Sequence, residues 1–517
     1  MYLTVRCLYL FIFSASCLYI TTKGNGPKAI VSHCDDVSIK QSRIWGPGLK
    51  SDFRLPVRYF FVQLVNKDGS NVTTSVGNKI VSAFISPANG DTARIWTEVL
   101  DRHDGSFIVC FRPFSSTSDL KVSVTFRGQH IADSPYTVSG PVYHESCYCP
   151  NQSPDQWAAS VGCPATYSQI GRDLEPFRDI NMATVARQAV ERFNKKGHHS
   201  ICHYKVIDNK VYRKCYGEHV GFNMFSDSIL LSLSRKMVLP DIEFFMNLGD
   251  WPLEDRPISS SGPPPLPIFS WCGSKKTRDI IMPTYDITEA TLEMMGRVSL
   301  DIFSTQANTG PAWENKTSRA FWRGRDSRRE RLDLVVMSRK RPELVDARLT
   351  NMFFFPRDEQ KYGELARHIS FFDFFKFKYQ LNIDGTVAAY RFPYLLSGDA
   401  VVMKQDSDYY EHFYGDLEPY VHYWPLKHDL SDLLETVRWA KENDAIMQQV
   451  AENGQRYARE NLDPANIMCY HVRLLQEYSR LLRSKPQLKN GFELVEQPSD
   501  SRNCKCLKNK KQVHEEL

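Results

Sequence analysis

Five arginines lie close together in residues 320–331, a stretch that opens with three apolar residues. The apolar residues that follow keep helical spacing. Ser327 and Glu330 stand three positions apart, as in a capping box, so we expect a helix to begin here. Gly324 would allow a tight turn before that helix. Free N–H groups at a helix start, the positive end of its dipole and guanidinium groups suit a phosphate or diphosphate. A solvated basic surface is the alternative.

A carboxylate follows a predicted strand earlier in the chain. Residues 240–248 read as a strand, and Gly249, Asp250 and Trp251 come directly after it. In open parallel sheets, ligands bind beyond the carboxyl ends of the strands. Asp250 could therefore act as a general base, with Trp251 as a flat apolar wall. The ordinary alternative is an aspartate that caps a helix or a turn.

A second candidate phosphate turn begins at Asp384 and Gly385. It continues through Thr386, Val387, Ala388, Ala389, Tyr390 and Arg391. The small residues permit close approach of the backbone, and Arg391 adds a guanidinium group, although Asp–Gly is also ordinary turn chemistry. Two such sites fit a two-domain nucleotide-sugar transferase. No Asp-x-Asp pair is placed to bridge a metal, so we expect arginines and helix dipoles to carry the leaving-group charge.

The elements that would position these residues fall into two regions. Short alternating strands over residues 38–142 indicate a β-sandwich. Residues 147–480 alternate helices with apolar strands, and their strand–turn–helix–strand order indicates parallel sheets. Within this region we expect a hairpin around Asp208 and Asn209. We also expect a helix starting at Val387, and two long helices that break at Gly454.

Both ends of the chain indicate the secretory pathway. In residues 1–22, Arg6 precedes an apolar run that is too short to span a bilayer comfortably, which predicts a signal peptide; a short anchor is the alternative. No later run reaches spanning length. A polar tail covers residues 481–517, and its last four residues resemble the retrieval signal of the endoplasmic reticulum lumen, departing from it at Glu515. A retrieval receptor of the KDEL type would then be a partner.

Composition agrees with a luminal protein. The 517-residue chain has a formal net charge of +5, which is too mild to argue for nucleic acid. Its 13 cysteines are better read as disulfides than as zinc ligands. Asn71 and Asn315 begin glycosylation sequons, and a third sequon at Asn151 is weakened by Pro154.

Several motifs together resemble the Rumi-type protein O-glucosyltransferases. These motifs are residues 247–252 (NLGDWP), 321–325 (FWRGR), 382–391 (NIDGTVAAYR) and 411–414 (EHFY). Residues 46–49, 104–107 and 128–136 resemble parts of a filamin-type immunoglobulin-like repeat. The resemblance implies a GT-B fold, with two Rossmann-like halves facing a cleft. It also implies transfer of glucose from UDP-glucose to a serine of folded EGF-like repeats, such as those of Notch and fibrillins, with inversion and without a metal.

The resemblance also assigns roles to individual residues. Asp250 becomes the general base, with Gly249 and Trp251 on the acceptor side. Gly296, Arg297, Arg325 and Arg331 become donor contacts, and residues 386–391 cradle the diphosphate. Arg325 stands where the Rumi branch has a serine, so its contact could differ in kind.

The cysteines and two alternatives complete the expectations. The resemblance pairs Cys147 with Cys469, and we would then pair Cys149 with Cys163. A related enzyme that transfers xylose is one alternative, because sugar choice depends on the shape of the pocket. A luminal binding protein without catalysis is the other, since a filamin-type module could serve binding.

Overall fold

A computed structural model describes residues 36–498 apart from 78, 91–92, 196–199, 219–220, 256–264, 293–300 and 368, together with Cys504 and Cys506. The predicted signal peptide, Gly296, Arg297 and the retrieval-like tail lie outside the described residues. The described chain forms an all-β region followed by two α/β halves.

The all-β region is a sandwich of two sheets. Its strands are β1 Arg43–Trp45, β2 Arg58–Gln63, β3 Val81–Pro87, β4 Ile95–Asp101, β5 Ser106–Pro113, β6 Leu120–Phe126, β7 Gln129–His130 and β8 Tyr136–Val138. One sheet has the order β1-β2-β5-β4, and the other has β3-β6-β7 with β8 also pairing with β6. Gly105 turns into β5 with φ +78°, and a Cβ there would lie 2.2 Å from the Val72 carbonyl oxygen, so only glycine fits. The predicted β-sandwich is confirmed.

The helices and strands of the two α/β halves are numbered together in chain order. The helices are α1 Pro154–Val161, α2 Ser168–Leu174, α3 Met182–Phe193, α4 Asn223–Lys236, α5 Tyr285–Leu292, α6 Ile302–Ala307, α7 Arg329–Lys340, α8 Glu359–Tyr362, α9 Phe392–Ser397, α10 Leu433–Glu442, α11 Asp444–Asn461 and α12 Pro464–Ser479. The strands are β9 Ile201–Ile207, β10 Lys210–Tyr216, β11 Ile242–Asn247, β12 Ile268–Ser270, β13 Gly273–Ser274, β14 Ile280–Ile281, β15 Thr317–Arg325, β16 Val345–Asn351, β17 Phe377–Asn382, β18 Val401–Gln405, β19 Tyr409–Tyr410, β20 Trp424–Leu426 and β21 Glu493–Leu494.

Each half has its own sheet. The first has the order β14-β12-β11-β9-β10-β21, with β11, β12 and β14 parallel and β9 antiparallel to both its neighbours. The second, β16-β15-β17-β18-β20, is parallel throughout. Helix α12 returns to pack in the core of the first half. The architecture is consistent with the expected glycosyltransferase fold of two α/β halves.

The β-sandwich is packed directly onto the α/β region. Strand β5 is buried on both faces, and its Ile108 and Cys110 belong to the same apolar core as α12. The Tyr59 ring lies 4.7 Å from the Phe303 ring of α6, and its hydroxyl donates to Asp463 at 2.9 Å. A strand with one solvated face would alternate apolar and polar residues. The second apolar face of β5 is therefore explained by this interface.

The hairpin predicted around Asp208 and Asn209 is confirmed. The two residues join β9 and β10 with φ values of 49° and 59°. Such left-handed angles at both turn positions are typical of the tight hairpin turns that Asn and Asp tolerate.

Three local expectations were wrong. Helix α7 begins at Arg329 without a side-chain cap, because the Ser327 hydroxyl accepts from Arg331 and Glu330 pairs with His428. Gly324 lies inside β15, where a Cβ would come within 2.5 Å of the Trp322 ring. The long helices break at Asn443 rather than Gly454; inside α11, Gly454 lets the helix approach the His422 carbonyl.

Both predicted disulfide pairs were also wrong. The observed pairs are Cys147–Cys504, Cys149–Cys506, Cys163–Cys469 and Cys202–Cys215. Cys163 follows α1, and α1 packs on α12, which carries Cys469. Cys147 and Cys149 precede α1 and instead hold the C-terminal segment. Distances between parts far apart in the chain decided these partners.

Among the described residues, no helix is long and apolar enough to cross a bilayer. The asparagines of the two main sequons, Asn71 and Asn315, are exposed. Glycosylation at these sites stays a prediction.

Candidate active site

A cavity of about 820 Å³ is lined by residues of both α/β halves. The first half contributes Asp250, Tyr285 and Asp286. The second half contributes Arg323, Gly324, Arg325, Ser327, Arg331, Thr350, Ile369, Ser370, Phe371, Phe372, Phe374, Gly385, Thr386, Val387, Ala388, Ala389, Tyr390, Arg391 and Tyr394. Many of these residues follow the carboxyl ends of β11, β14, β15 and β17, where open parallel sheets bind ligands.

Asn247, the last residue of β11, holds the loop that carries Asp250. The Asn247 amide donates to the Trp251 carbonyl oxygen at 2.6 Å and to the Ser270 hydroxyl at 3.1 Å. Its side-chain oxygen accepts from the Gly249 N–H at 2.9 Å. These bonds turn the chain sharply after β11, bury Gly249 and leave Trp251 42% exposed.

Two side chains of the first half touch Asp250. The Tyr285 hydroxyl lies 3.5 Å from Asp250 Oδ1, and the buried Cys272 thiol donates to the Asp250 carbonyl oxygen at 3.4 Å. Burial and the nearby charges of Asp250 and Asp286 raise the pKa of Tyr285. Tyr285 therefore keeps its proton and can donate to the carboxylate.

Arg331 lies beneath the opposite wall. Its guanidinium donates to the carbonyl oxygens of Asp384 at 2.7 Å, Ile383 at 2.9 Å and Arg325 at 3.1 Å. Burial, together with repulsion from Arg391, lowers its pKa to about 9. Arg331 thus joins the ends of β15 and β17, in addition to lining the cavity.

The other arginines of the stretch divide between the cavity and the surroundings. Arg325 is exposed and lies over the Phe353 ring, whereas Arg323 pairs with Asp346 at 2.8 Å. Arg328 supports the turn at 386–391 by donating to the Gly385 and Thr386 carbonyl oxygens. Arg329 is exposed and pairs with Asp333. The five arginines lie close together in the sequence, but their side chains contact different partners, and only some of them line the cavity.

The turn at 386–391 presents backbone N–H groups. Among the described residues, none accepts a hydrogen bond from the N–H groups of 386–389, whereas Gly385 N–H donates to Val387 at 2.9 Å. Arg391 donates to the Arg323 carbonyl oxygen at 2.7 Å, and burial lowers its pKa to about 10 against the attraction of Asp286. Adjacent backbone N–H groups in a turn can bind an anion, and a nearby guanidinium adds positive charge.

The helix expected from Val387 begins at Phe392 instead. Pro393 occupies the first turn of α9, where a missing N–H costs no hydrogen bond. This proline was a signal in the sequence for the later start. The six residues before α9 are therefore turn, which leaves their N–H groups at the cavity.

Sequence reasoning missed several cavity residues. Tyr285 and Asp286 begin α5 after a three-residue connection from β14, so the rule about strand ends could have found them. Phe371 and Phe372 line the cavity from a 3₁₀ turn. Within the described ranges, no group of three or more His, Cys, Asp or Glu side chains is arranged to hold a metal ion.

Glu411 belongs to one of the motifs that carried the resemblance, and it is buried rather than lining the cavity. Burial raises its pKa to about 8, and the Tyr414 hydroxyl donates to Glu411 Oε1 at 3.1 Å. The carboxyl is therefore largely protonated at neutral pH.

A wall that carries Asp250 and Asp286 faces an arginine-lined turn across a cavity between the two α/β halves. The model of glycosyl transferase family 90 matches residues 158–516, and that of the filamin/ABP280 repeat matches residues 36–137. The chain therefore belongs to glycosyl transferase family 90.

Named relatives agree with this family. The chain is 52% identical to Protein O-glucosyltransferase 2 of Danio rerio, covering 93% of this chain and 95% of that protein. It is 49% identical to Protein O-glucosyltransferase 3 of Homo sapiens, over the same two shares. Protein O-glucosyltransferase 1 of Bos taurus is 31% identical over 65% of this chain and 85% of that protein. The expected membership of a protein O-glucosyltransferase family is confirmed.

Proposed function

We propose that this chain transfers glucose from UDP-glucose to a serine of folded EGF-like repeats in secreted or membrane proteins. The observation that carries the proposal is the cavity, with Asp250 on one wall and Arg391 with the N–H groups of 386–389 on the other. The names of the relatives support glucosyl transfer to protein. The EGF-like acceptor rests on the resemblance of the motifs.

In the proposed reaction, Asp250 takes the proton of the acceptor serine hydroxyl while that oxygen attacks the anomeric carbon. The new bond forms as the bond from the anomeric carbon to the diphosphate oxygen breaks, and UDP leaves with the electron pair. A single displacement of this kind inverts the anomeric centre. Tyr285 donates to Asp250 and holds its carboxylate toward the cavity. Gly249 and Trp251 would stand on the acceptor side.

The departing UDP carries negative charge that the second wall can stabilise. Arg325 and Arg391 supply guanidinium groups, and residues 386–389 supply backbone N–H groups. Arg331 keeps the turn in place through the Asp384 and Ile383 carbonyl oxygens. Preorganised donors of this kind stabilise developing charge. We therefore propose that transfer needs no metal cofactor. Gly296 and Arg297 remain proposed donor contacts from the resemblance.

We place the reaction in the lumen of the endoplasmic reticulum, with a KDEL-type receptor as the retrieval partner. Four disulfides among the described residues support an oxidising compartment. The predicted signal peptide and the retrieval-like tail point to the same place.

The test is a transfer assay with the purified chain, UDP-glucose and a folded EGF-like repeat, in EDTA, with the product read by intact mass. The proposal expects a gain of one hexose, and a parallel reaction with UDP-xylose measures the donor preference. A gain of pentose alone would replace glucose by xylose. No gain from either donor, with UDP still bound and a panel of EGF-like repeats tested, would favour a luminal binding protein.

A further inference from the structure

A second carboxylate, Asp286, faces the cavity from the same wall as Asp250 and has no part in the reaction described above. It lies in the first turn of α5, directly after Tyr285. Its side chain is exposed to the cavity although protein surrounds the site closely. It forms no ion pair with any side chain in the described ranges. An acidic group placed in this way is available to a ligand.

The groups that surround Asp286 come from both walls of the cavity. On one side stands Tyr285, whose pKa is raised by burial and by both Asp250 and Asp286. On the other side stand Arg391, which attracts the carboxylate, and Tyr394, whose hydroxyl faces Asp286 without a regular hydrogen bond to any described residue. Burial raises the pKa of Asp286, whereas Tyr394 and Arg391 favour the charged form.

This position matches one part of a sugar nucleotide. With the diphosphate held on the turn at 386–391 and the acceptor oxygen at Asp250, the transferred sugar must lie between them. Asp286 lines the same cavity and interacts with Tyr285, which contacts Asp250, and with Arg391 of the turn. A carboxylate repels phosphate, so the diphosphate is not its ligand, whereas two carboxylate oxygens accept hydrogen bonds well from hydroxyl groups.

We propose that Asp286 is a specificity-determining residue of the donor site, whose carboxylate accepts hydrogen bonds from the hydroxyl groups of the transferred sugar. The proposal rests on the proposed sugar-nucleotide function of the same cavity. Buried polar groups that are built to bind a hydroxyl reject analogues that lack it, because the group is then left unpaired. Asp286 would in this way help to select the sugar, while the second wall, with Arg325 and Arg391, selects the nucleotide diphosphate.

The first measurement compares binding of UDP-glucose and of UDP to the full chain by titration calorimetry. We expect the wild type to bind UDP-glucose more tightly than UDP, and Asp286→Ala to lose about 10- to 100-fold in affinity for UDP-glucose only. Unchanged UDP binding shows that the variant is folded. Asp333→Asn, on the exposed surface of α7, is the matched control and should change neither affinity.

The second measurement identifies the hydroxyl with a panel of UDP-deoxyglucose analogues. One analogue should bind the wild type more weakly than UDP-glucose does, yet bind Asp286→Ala as well as UDP-glucose does. Equal losses for every analogue in both proteins would overturn the proposal, and so would an equal weakening of UDP and UDP-glucose by Asp286→Ala.

These binding measurements separate the two proposals. If the wild type transfers no sugar but Asp286→Ala still removes the preference for UDP-glucose over UDP, protein glucosylation fails and the role of Asp286 stands. If transfer proceeds and Asp286→Ala leaves both affinities unchanged, glucosylation stands and the role of Asp286 is lost.

Discussion

The two walls of the cavity carry opposite charge and are supported in different ways. The first-half wall presents Asp250 and Asp286 beside Tyr285, and the second-half wall presents Arg325 and Arg391 with backbone N–H groups. Within the described part of the chain, Asp286 makes no ion pair with these arginines. The walls therefore do not neutralise each other completely. This arrangement would orient a ligand that has an anionic end and a neutral end.

The supports of the walls differ as well. Side chains hold the Asp250 loop, through Asn247 and through Asp279, which accepts from the Leu253 and Glu254 N–H groups. The second wall is held by its own arginines, because Arg328 and Arg331 donate to the carbonyl oxygens of the turn. On the first wall, the residues that hold the loop differ from Asp250, the residue proposed to react. On the second wall, Arg331 both lines the cavity and holds the turn.

The largest expected effect is on the first wall. Asp250→Asn keeps the size of the side chain but removes the base, so transfer should fall by about 10²- to 10⁴-fold. The affinity for UDP should stay unchanged, because the proposed diphosphate site is on the other wall. Intact-mass kinetics and UDP titration check this. Unimpaired transfer by Asp250→Asn would remove the residue from its role.

The next effect contrasts the carboxylates of the first wall with a buried carboxyl of the second half that does not line the cavity. Glu411, in the second half, has its pKa raised by burial from 4.5 to about 8. Between these two values the folded protein holds a proton that the unfolded chain has released, so this group makes the protein less stable as the pH rises. A glutamine does not ionise, so Glu411→Gln does not lose this stability as the pH rises.

The free energy of unfolding should therefore rise in Glu411→Gln relative to the wild type between pH 5 and pH 8, by on the order of 2–4 kcal/mol. Urea unfolding at several pH values measures the difference, with exposed Glu314→Gln as the control. Parallel pH profiles for the wild type and Glu411→Gln would show that Glu411 is ionised in the folded protein.

A smaller effect belongs to the second wall. Arg391→Met removes a guanidinium from the turn, so the affinity for UDP should fall by about 10- to 100-fold through loss of charged hydrogen bonds. Arg329→Met, on the exposed surface nearby, should leave UDP binding intact. Equal behaviour of the two variants would contradict the assignment of charge to the turn.

The smallest expected effect asks whether the β-sandwich supports the second wall. The Tyr59 hydroxyl bonds Asp463, and the ring packs on Phe303 of α6, which contacts α9 after the turn. Tyr59→Phe should lower the free energy of unfolding by about 0.5–1.5 kcal/mol through the lost hydrogen bond. Thermal unfolding and UDP titration separate the outcomes. A weakened affinity for UDP would show that packing of the β-sandwich affects the position of residues on the second wall.

Part of the site could be read from the chain in advance. Asp250 and the turn at 386–391 were predicted from residue types at strand ends, and they line one cavity. Asp286 was overlooked, although it also follows a strand, because β14 is only two residues long and gives little periodic signal. The wrong helix start at Ser327 has a different cause, since a side-chain partner from the helix itself competes for the hydroxyl.

The sequence by itself determined the β-sandwich, the Asp208–Asn209 hairpin and the alternation of strands with helices in the α/β region, because periodicity and turn preferences act between near neighbours. It also determined which residue types stand at the strand ends. Only the tertiary structure decided which arginines face the cavity, which cysteines pair and why Gly454 sits inside a helix. Those outcomes depend on distances between residues far apart in the chain, and local spacing contains no information about such distances.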